Sequence, residues 1–107
     1  MVRQVNPSEL RAMLAGHAPA PQLLDVREPW ELDICRLEGA AHIPMRRVPS
    51  EVDRLDPQRP VVVICHHGIR SQQVALYLEH QGFQQVLNLR GGIDGWARDV
   101  DPAMATY

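Results

Sequence analysis

The stretch "VVVICHHGIRSQQVALYLEHQGF", residues 61–83, runs four aliphatic residues into Cys65, crosses a short polar loop, and resumes with helical spacing. An apolar run of that length, ended by a turn, reads as a buried strand over residues 61–65. Beyond the loop, Val74, Ala75 and Leu78 share one helical face while Gln72, Gln73 and Glu79 lie largely off it. That spacing predicts a helix starting at Ser71, with Ser71 as its N-cap and Gly82 as the left-handed residue that closes it. Val74 falls at the N3 position, so no capping box is expected.

Working outward, short aliphatic runs alternate with helix-like segments, and further strands are expected at residues 22–26, 41–43 and 85–89, with an edge strand near 2–5. Helices are expected after Pro7, Pro29 and Pro49, each placed where a first-turn residue needs no amide donor. This strand–helix alternation predicts an α/β fold, an open parallel sheet flanked by helices, in one domain over residues 1–107. In such a sheet the loops leaving the strand ends meet at one edge, where ligands bind. "DVREPWE" (25–31), "HIPMRR" (42–47), "CHHGIRS" (65–71) and "RGGIDGW" (90–96) therefore converge.

Composition narrows the function classes. Hydrophobic residues make up 45% of the 107 and charged residues 22%, with net charge −2, which favours neither disorder nor a nucleic-acid surface. All eleven basic residues are Arg, so Schiff-base chemistry on a lysine is excluded and anion binding falls to guanidinium. No apolar run reaches membrane-spanning length and the start has no signal-peptide core, so a cytoplasmic location with no membrane contact is expected. Cys35 and Cys65 are then expected reduced rather than bridged.

A cysteine between a buried strand and a helix start sits where main-chain amides and the helix dipole favour negative charge, so Cys65 is a candidate nucleophile; the alternative is a small core residue. Gly68 can take the positive φ needed to turn loop amides, those of His66 to Ser71 including Ile69, toward one sulfur. Arg70 offers a forked donor to a sulfonate, sulfate-like or phosphate-like oxyanion, or alternatively forms a structural salt bridge. His66 and His67 either attract an anionic substrate, bind metal with Cys65, or stand as exposed loop residues; without spaced partners they make a poor zinc site. Asp25 and Arg27 offer either catalytic or substrate-binding charges or a structural pair, and Trp96 either lines the pocket mouth, for which its place after the "RGG" turn makes it the better candidate than Trp30, or packs on the core.

Four stretches together resemble the rhodanese-like sulfurtransferases in their single-domain form: "LLDVREPWEL", "GAAHIPM", "VVVICHHGIRSQQVALYL" and "VLNLRGGIDGW", in the family's order over roughly residues 22–102. The resemblance implies a five-stranded parallel α/β fold and a Cys65 that accepts a sulfane sulfur from a small donor such as thiosulfate. The Cys65 persulfide then passes it to cyanide or a thiol, with no metal or organic cofactor. Substrate contacts are expected from His66, His67, Gly68, Ile69, Arg70, Ser71 and Trp96. The alternative is a persulfide carrier that exchanges sulfur with a protein partner and shows little small-molecule turnover. Related phosphatases and arsenate reductases place a longer loop between Cys and Arg than the four residues here, which favours sulfur chemistry.

Overall fold

The computed structural model describes residues 1–16 and 19–107. Five strands, β1 (Arg3–Val5), β2 (Gln22–Asp25), β3 (Ala41–His42), β4 (Val61–Ile64) and β5 (Val86–Leu89), form one sheet in the order β1-β5-β4-β2-β3. Every pairing is parallel, with β4 at the centre. The helices are α1 (Pro7–Ala15), α2 (Pro29–Ile34), α3 (Val48–Glu51), α4 (Ile69–His80) and α5 (Gly92–Asp99); single 3-10 turns flank α3.

The central strand explains its own composition. Val61, Val63 and Cys65 face a cluster with Val48, Val74, Ala75 and Leu78, under α3 and α4. Val62 and Ile64 face the other way, into a cluster with Val5, Leu10, Leu87, Ile93 and Trp96, under α1 and α5. A strand covered on both faces has no place for a polar alternate residue, hence the unbroken aliphatic run. Each aliphatic side chain so buried contributes about 1.5–3 kcal/mol of transfer free energy.

Local chemistry fixes the helix starts. Asn6 accepts from the Glu9 amide at 2.8 Å and its own amide donates back to the Glu9 carboxylate at 2.9 Å, a reciprocal cap with Pro7 in the first turn. In α2 the Glu28 amide donates to the Glu31 carboxylate at 2.8 Å. Strands β2, β3 and β4 each end one residue earlier than the sequence suggests and β5 starts one later. The larger correction concerns α4, which starts at Ile69, two residues before Ser71, with Gly68 as the N-cap. Its far end is as expected, with Gly82 at φ +90° just beyond the last turn.

Candidate active site

The β4–α4 loop is shaped by two glycines. Gly68 has φ +104°, and a Cβ there would stand 3.3 Å from the Leu89 carbonyl. In that conformation its amide donates to Cys65 Sγ at 3.0 Å. Gly92, at φ +60°, lets the first turn of α5 close on the loop: Ile93 N–H donates to the Cys65 carbonyl at 2.8 Å and Asp94 N–H to that of His66 at 3.1 Å. A Cβ at Gly92 would lie 2.3 Å from the His66 oxygen, so no other residue fits without moving the backbone. Loop carbonyls thus point toward α5 while the Gly68 amide points at the sulfur.

Cys65 is 1% exposed. The sequence suggests a ring of amides from His66 to Ser71 around the sulfur; the main-chain bond to Sγ comes from Gly68, and the second polar neighbour is a side chain, Ser71 Oγ at 3.2 Å. Ser71 is not the N-cap but the third residue of α4, buried, with its hydroxyl donating to Asn88 Oδ1 at 2.5 Å. Asn88 Nδ2 in turn donates to Gln4 Oε1 at 2.8 Å and to the Gly68 carbonyl at 3.2 Å. Because Ile69 and Arg70 open a helix, their amides have no acceptor within it.

Arg70, about a third exposed, forks onto the buried Glu31 carboxylate with two bonds of 2.8 Å. Glu31 raises the guanidinium above its ordinary value, and the Arg70 bonds bring the Glu31 carboxyl down to about 2 despite its burial. The fork uses one hydrogen on each terminal nitrogen, so Nε–H and the outer hydrogens face away from Glu31. Glu31 also accepts from the Tyr107 hydroxyl at 2.7 Å, and that hydroxyl accepts from Arg27 Nη1 at 3.0 Å. Burial, with these two partners acting in opposite senses, pushes Tyr107 up to about 12. Arg27 is itself fully buried against Asp25 at 2.7 Å, a structural pair of the kind the family resemblance implies.

The Tyr107 ring stacks on His66, centroids 3.8 Å apart and planes 9° from parallel, and meets Trp30 edge-on at 5.7 Å. His66 Nε2 donates to the Tyr107 main-chain oxygen at 2.9 Å, which assigns the hydrogen to Nε2. Burial first, and then His67, lower the His66 value. Trp96 is not a wall of the mouth: at 8% exposed it packs with Leu10 and Ile93 on the α1/α5 face. The exposed apolar side chains on this edge are Trp30, at 59%, and Ile69, at 72%.

Among the described residues, His66, His67 and Asp94 bring three possible metal-ligating atoms within 4.8 Å of one another. Arg98 Nη1 stands 3.8 Å from Asp94, and the Tyr107 oxygen already engages His66, so both partners compete with a cation for these donors. Cys35 and Cys65 are free thiols; Cys35 packs against the α1/α5-side cluster and Cys65 belongs to the other face of the sheet. Glu31, Asn88 and Tyr107 are the members of this site that sequence reading passed over.

The family described as "Rhodanese-like domain" matches residues 6–99. A protein named "Sulfurtransferase" from Allochromatium vinosum is 37% identical over 105 residues, spanning 98% of this chain and 97% of that protein. "Thiosulfate sulfurtransferase GlpE" from Glaesserella parasuis serovar 5 is 35% identical over 104 residues, 97% of this chain and 94% of the relative. The crystal structure of a rhodanese-like domain protein from Staphylococcus aureus superposes with a TM-score of 0.85 at 26% identity, covering 99% of each chain.

Proposed function

Since this chain belongs to the rhodanese-like domain family, we propose that it is a sulfurtransferase in which Cys65 carries the transferred sulfur. The ionised Cys65 sulfur attacks the outer, sulfane sulfur of thiosulfate; the sulfur–sulfur bond of the donor breaks, sulfite leaves with the bonding pair, and Cys65 holds a persulfide. Cyanide or a thiol then attacks the outer sulfur of that persulfide, the new bond forms as the Cys65–sulfur bond breaks, and the Cys65 thiolate returns. No redox partner is required, because the electron pairs balance within each displacement.

The observation that carries this reading is the Gly68 amide aimed at Cys65 Sγ at 3.0 Å, at the start of α4. An amide and a helix N-terminus beside a sulfur stabilise negative charge there without reorganising during the reaction. The Ile69 and Arg70 amides, unpartnered within the helix, add to that field. The outer hydrogens of Arg70 suit the sulfonate end of thiosulfate, and His66 and His67 belong to the same loop. Two relatives carrying sulfurtransferase names over nearly their full lengths favour the same chemistry.

A second reading, a persulfide carrier serving a protein partner, is favoured by the exposed Trp30 and Ile69 on the edge that bears Cys65. Exposed aromatic and aliphatic side chains are the usual anchors of a transient protein contact. Both readings are tested by intact mass spectrometry after thiosulfate treatment. The enzyme reading expects a gain of one sulfur atom, reversed by cyanide with steady thiocyanate formation and absent in Cys65→Ser. Loading only from a persulfidated protein would favour the carrier, and no loading of either kind would overturn both.

A further inference from the structure

Asn88 stands in the middle of β5, between Leu87 and Leu89, and is 3% exposed. A primary amide in such a strand is costly unless its hydrogen bonds are met, and here each of them has a partner. The Gly68 carbonyl can only accept, so the Asn88 atom 3.2 Å from it is Nδ2. The second Nδ2 hydrogen goes to Gln4 Oε1, and Gln4 passes its own amide hydrogen to Gln72 Oε1 at 2.6 Å. Oδ1 is therefore the atom facing Ser71, and at 2.5 Å it takes the hydroxyl hydrogen.

Ser71 has a single hydrogen, and Asn88 holds it. The side of Ser71 Oγ that faces Cys65 Sγ at 3.2 Å is left with lone pairs, so the bond between them runs from S–H to oxygen. Lone pairs beside the sulfur favour S–H and oppose the electron-rich form that attacks a donor. For Ser71 to support that form, its hydroxyl must leave Asn88 and turn toward the sulfur.

We propose that Asn88 is a positioning residue that restrains Cys65 by holding the Ser71 hydroxyl away from it, so that Cys65 becomes fully nucleophilic only when this hydroxyl turns. The inference rests on Cys65 being the reacting group, as above, but it is read by alkylation and stands or falls whatever the sulfur donor proves to be.

The test uses Cys35→Ser as parent, so that Cys65 alone reacts, and follows iodoacetamide addition by intact mass from about pH 5 to about pH 9 in the parent, Asn88→Ala, Ser71→Ala and the double variant. Asn88→Ala frees the hydroxyl for the sulfur; hydrogen bonds to a charged group are among the stronger ones, so alkylation near pH 6 should rise at least about tenfold and the pH profile should move to lower pH. Ser71→Ala should give a smaller rise, because it removes the opposing oxygen without supplying a donor. The double variant should match Ser71→Ala, since Asn88 acts through that hydroxyl. Asn88→Leu, of similar volume, repeats the measurement should the alanine variant not fold. A profile that stays in place or moves to higher pH in Asn88→Ala and Asn88→Leu would overturn the proposal. So would a double variant that reacts faster than Ser71→Ala.

Discussion

The Arg70 guanidinium and the Glu31 carboxylate meet in a two-pronged fork, Nη1 to Oε2 and Nη2 to Oε1 at 2.8 Å each, across 39 residues of sequence. This ties the first turn of α4, and so the loop that carries Cys65, to α2 on the neighbouring strand's connection. The Tyr107 hydroxyl and the buried Arg27 extend the tie inward.

Glu31→Gln should destabilise the fold by on the order of 2 kcal/mol near neutral pH, because the fork loses its charge assistance. The carboxyl lies at about 2 in the fold against 4.5 ordinarily. A depressed value means that the contribution is complete above about 4.5 and is lost as pH falls toward about 2. Urea denaturation of the two proteins should therefore give curves well separated at pH 7 that converge on acidification. Curves separated equally at pH 7 and pH 3 would contradict the fork as the source.

Arg70→Lys keeps a positive charge and loses the fork. Sulfur loading from thiosulfate should slow about tenfold, the cost of one charge-assisted hydrogen bond to the sulfonate and a less well-held loop. Rates of mass gain at several thiosulfate concentrations measure this. An unchanged rate would remove Arg70 from donor binding.

Gly92→Ala should cost more than about 3 kcal/mol or abolish folding, since a Cβ would lie 2.3 Å from the His66 oxygen with φ at +60°. Gly39 is the control: it has φ +79° with nothing within 4 Å of a Cβ, and Gly39→Ala should cost only about 1 kcal/mol. Thermal melts of the two variants decide between a steric and a purely conformational requirement.

His66 should titrate below an ordinary histidine in NMR spectra of the imidazole carbons, because burial and neighbouring His67 disfavour its charge. Its neutral form supports the fold above about pH 6.5, and that support is lost as pH falls through the depressed value. Replacing Tyr107 with Ala uncovers the ring and should move the midpoint upward.

Much of this architecture can be read from the chain because its central strands are covered on both faces. A run such as Val61–Ile64 has one physical explanation, and its place before a glycine-bearing loop and an amphipathic helix locates the site. The start of α4 is misread because Ser71 has the composition of an N-cap while Gly68 does the work, adopting a conformation that serine preferences do not reveal. Trp96 takes the core alternative, not the pocket mouth. Ile93, Trp96 and Ala97 follow the spacing of one helical face, which is the sequence signal for its burial.

Asn88 and Tyr107 carry no local signal, and the local signal of Glu31 concerns only the start of α2. Glu31 lies 39 residues from Arg70, Asn88 17 from Ser71, and Tyr107 76 from Glu31. Each is a lone polar residue whose part in the site exists only once the fold has brought its distant partner alongside, which periodicity cannot register.

The placement of the two thiols on opposite faces of the sheet has a consequence for storage of the sulfur. Cys35 packs into the cluster under α1 and α5 and Cys65 into the one under α3 and α4, so in the proposed reaction a sulfur on Cys65 has no second thiol within its own cluster. On that reading the lifetime of a charged protein would follow the supply of acceptors from solution.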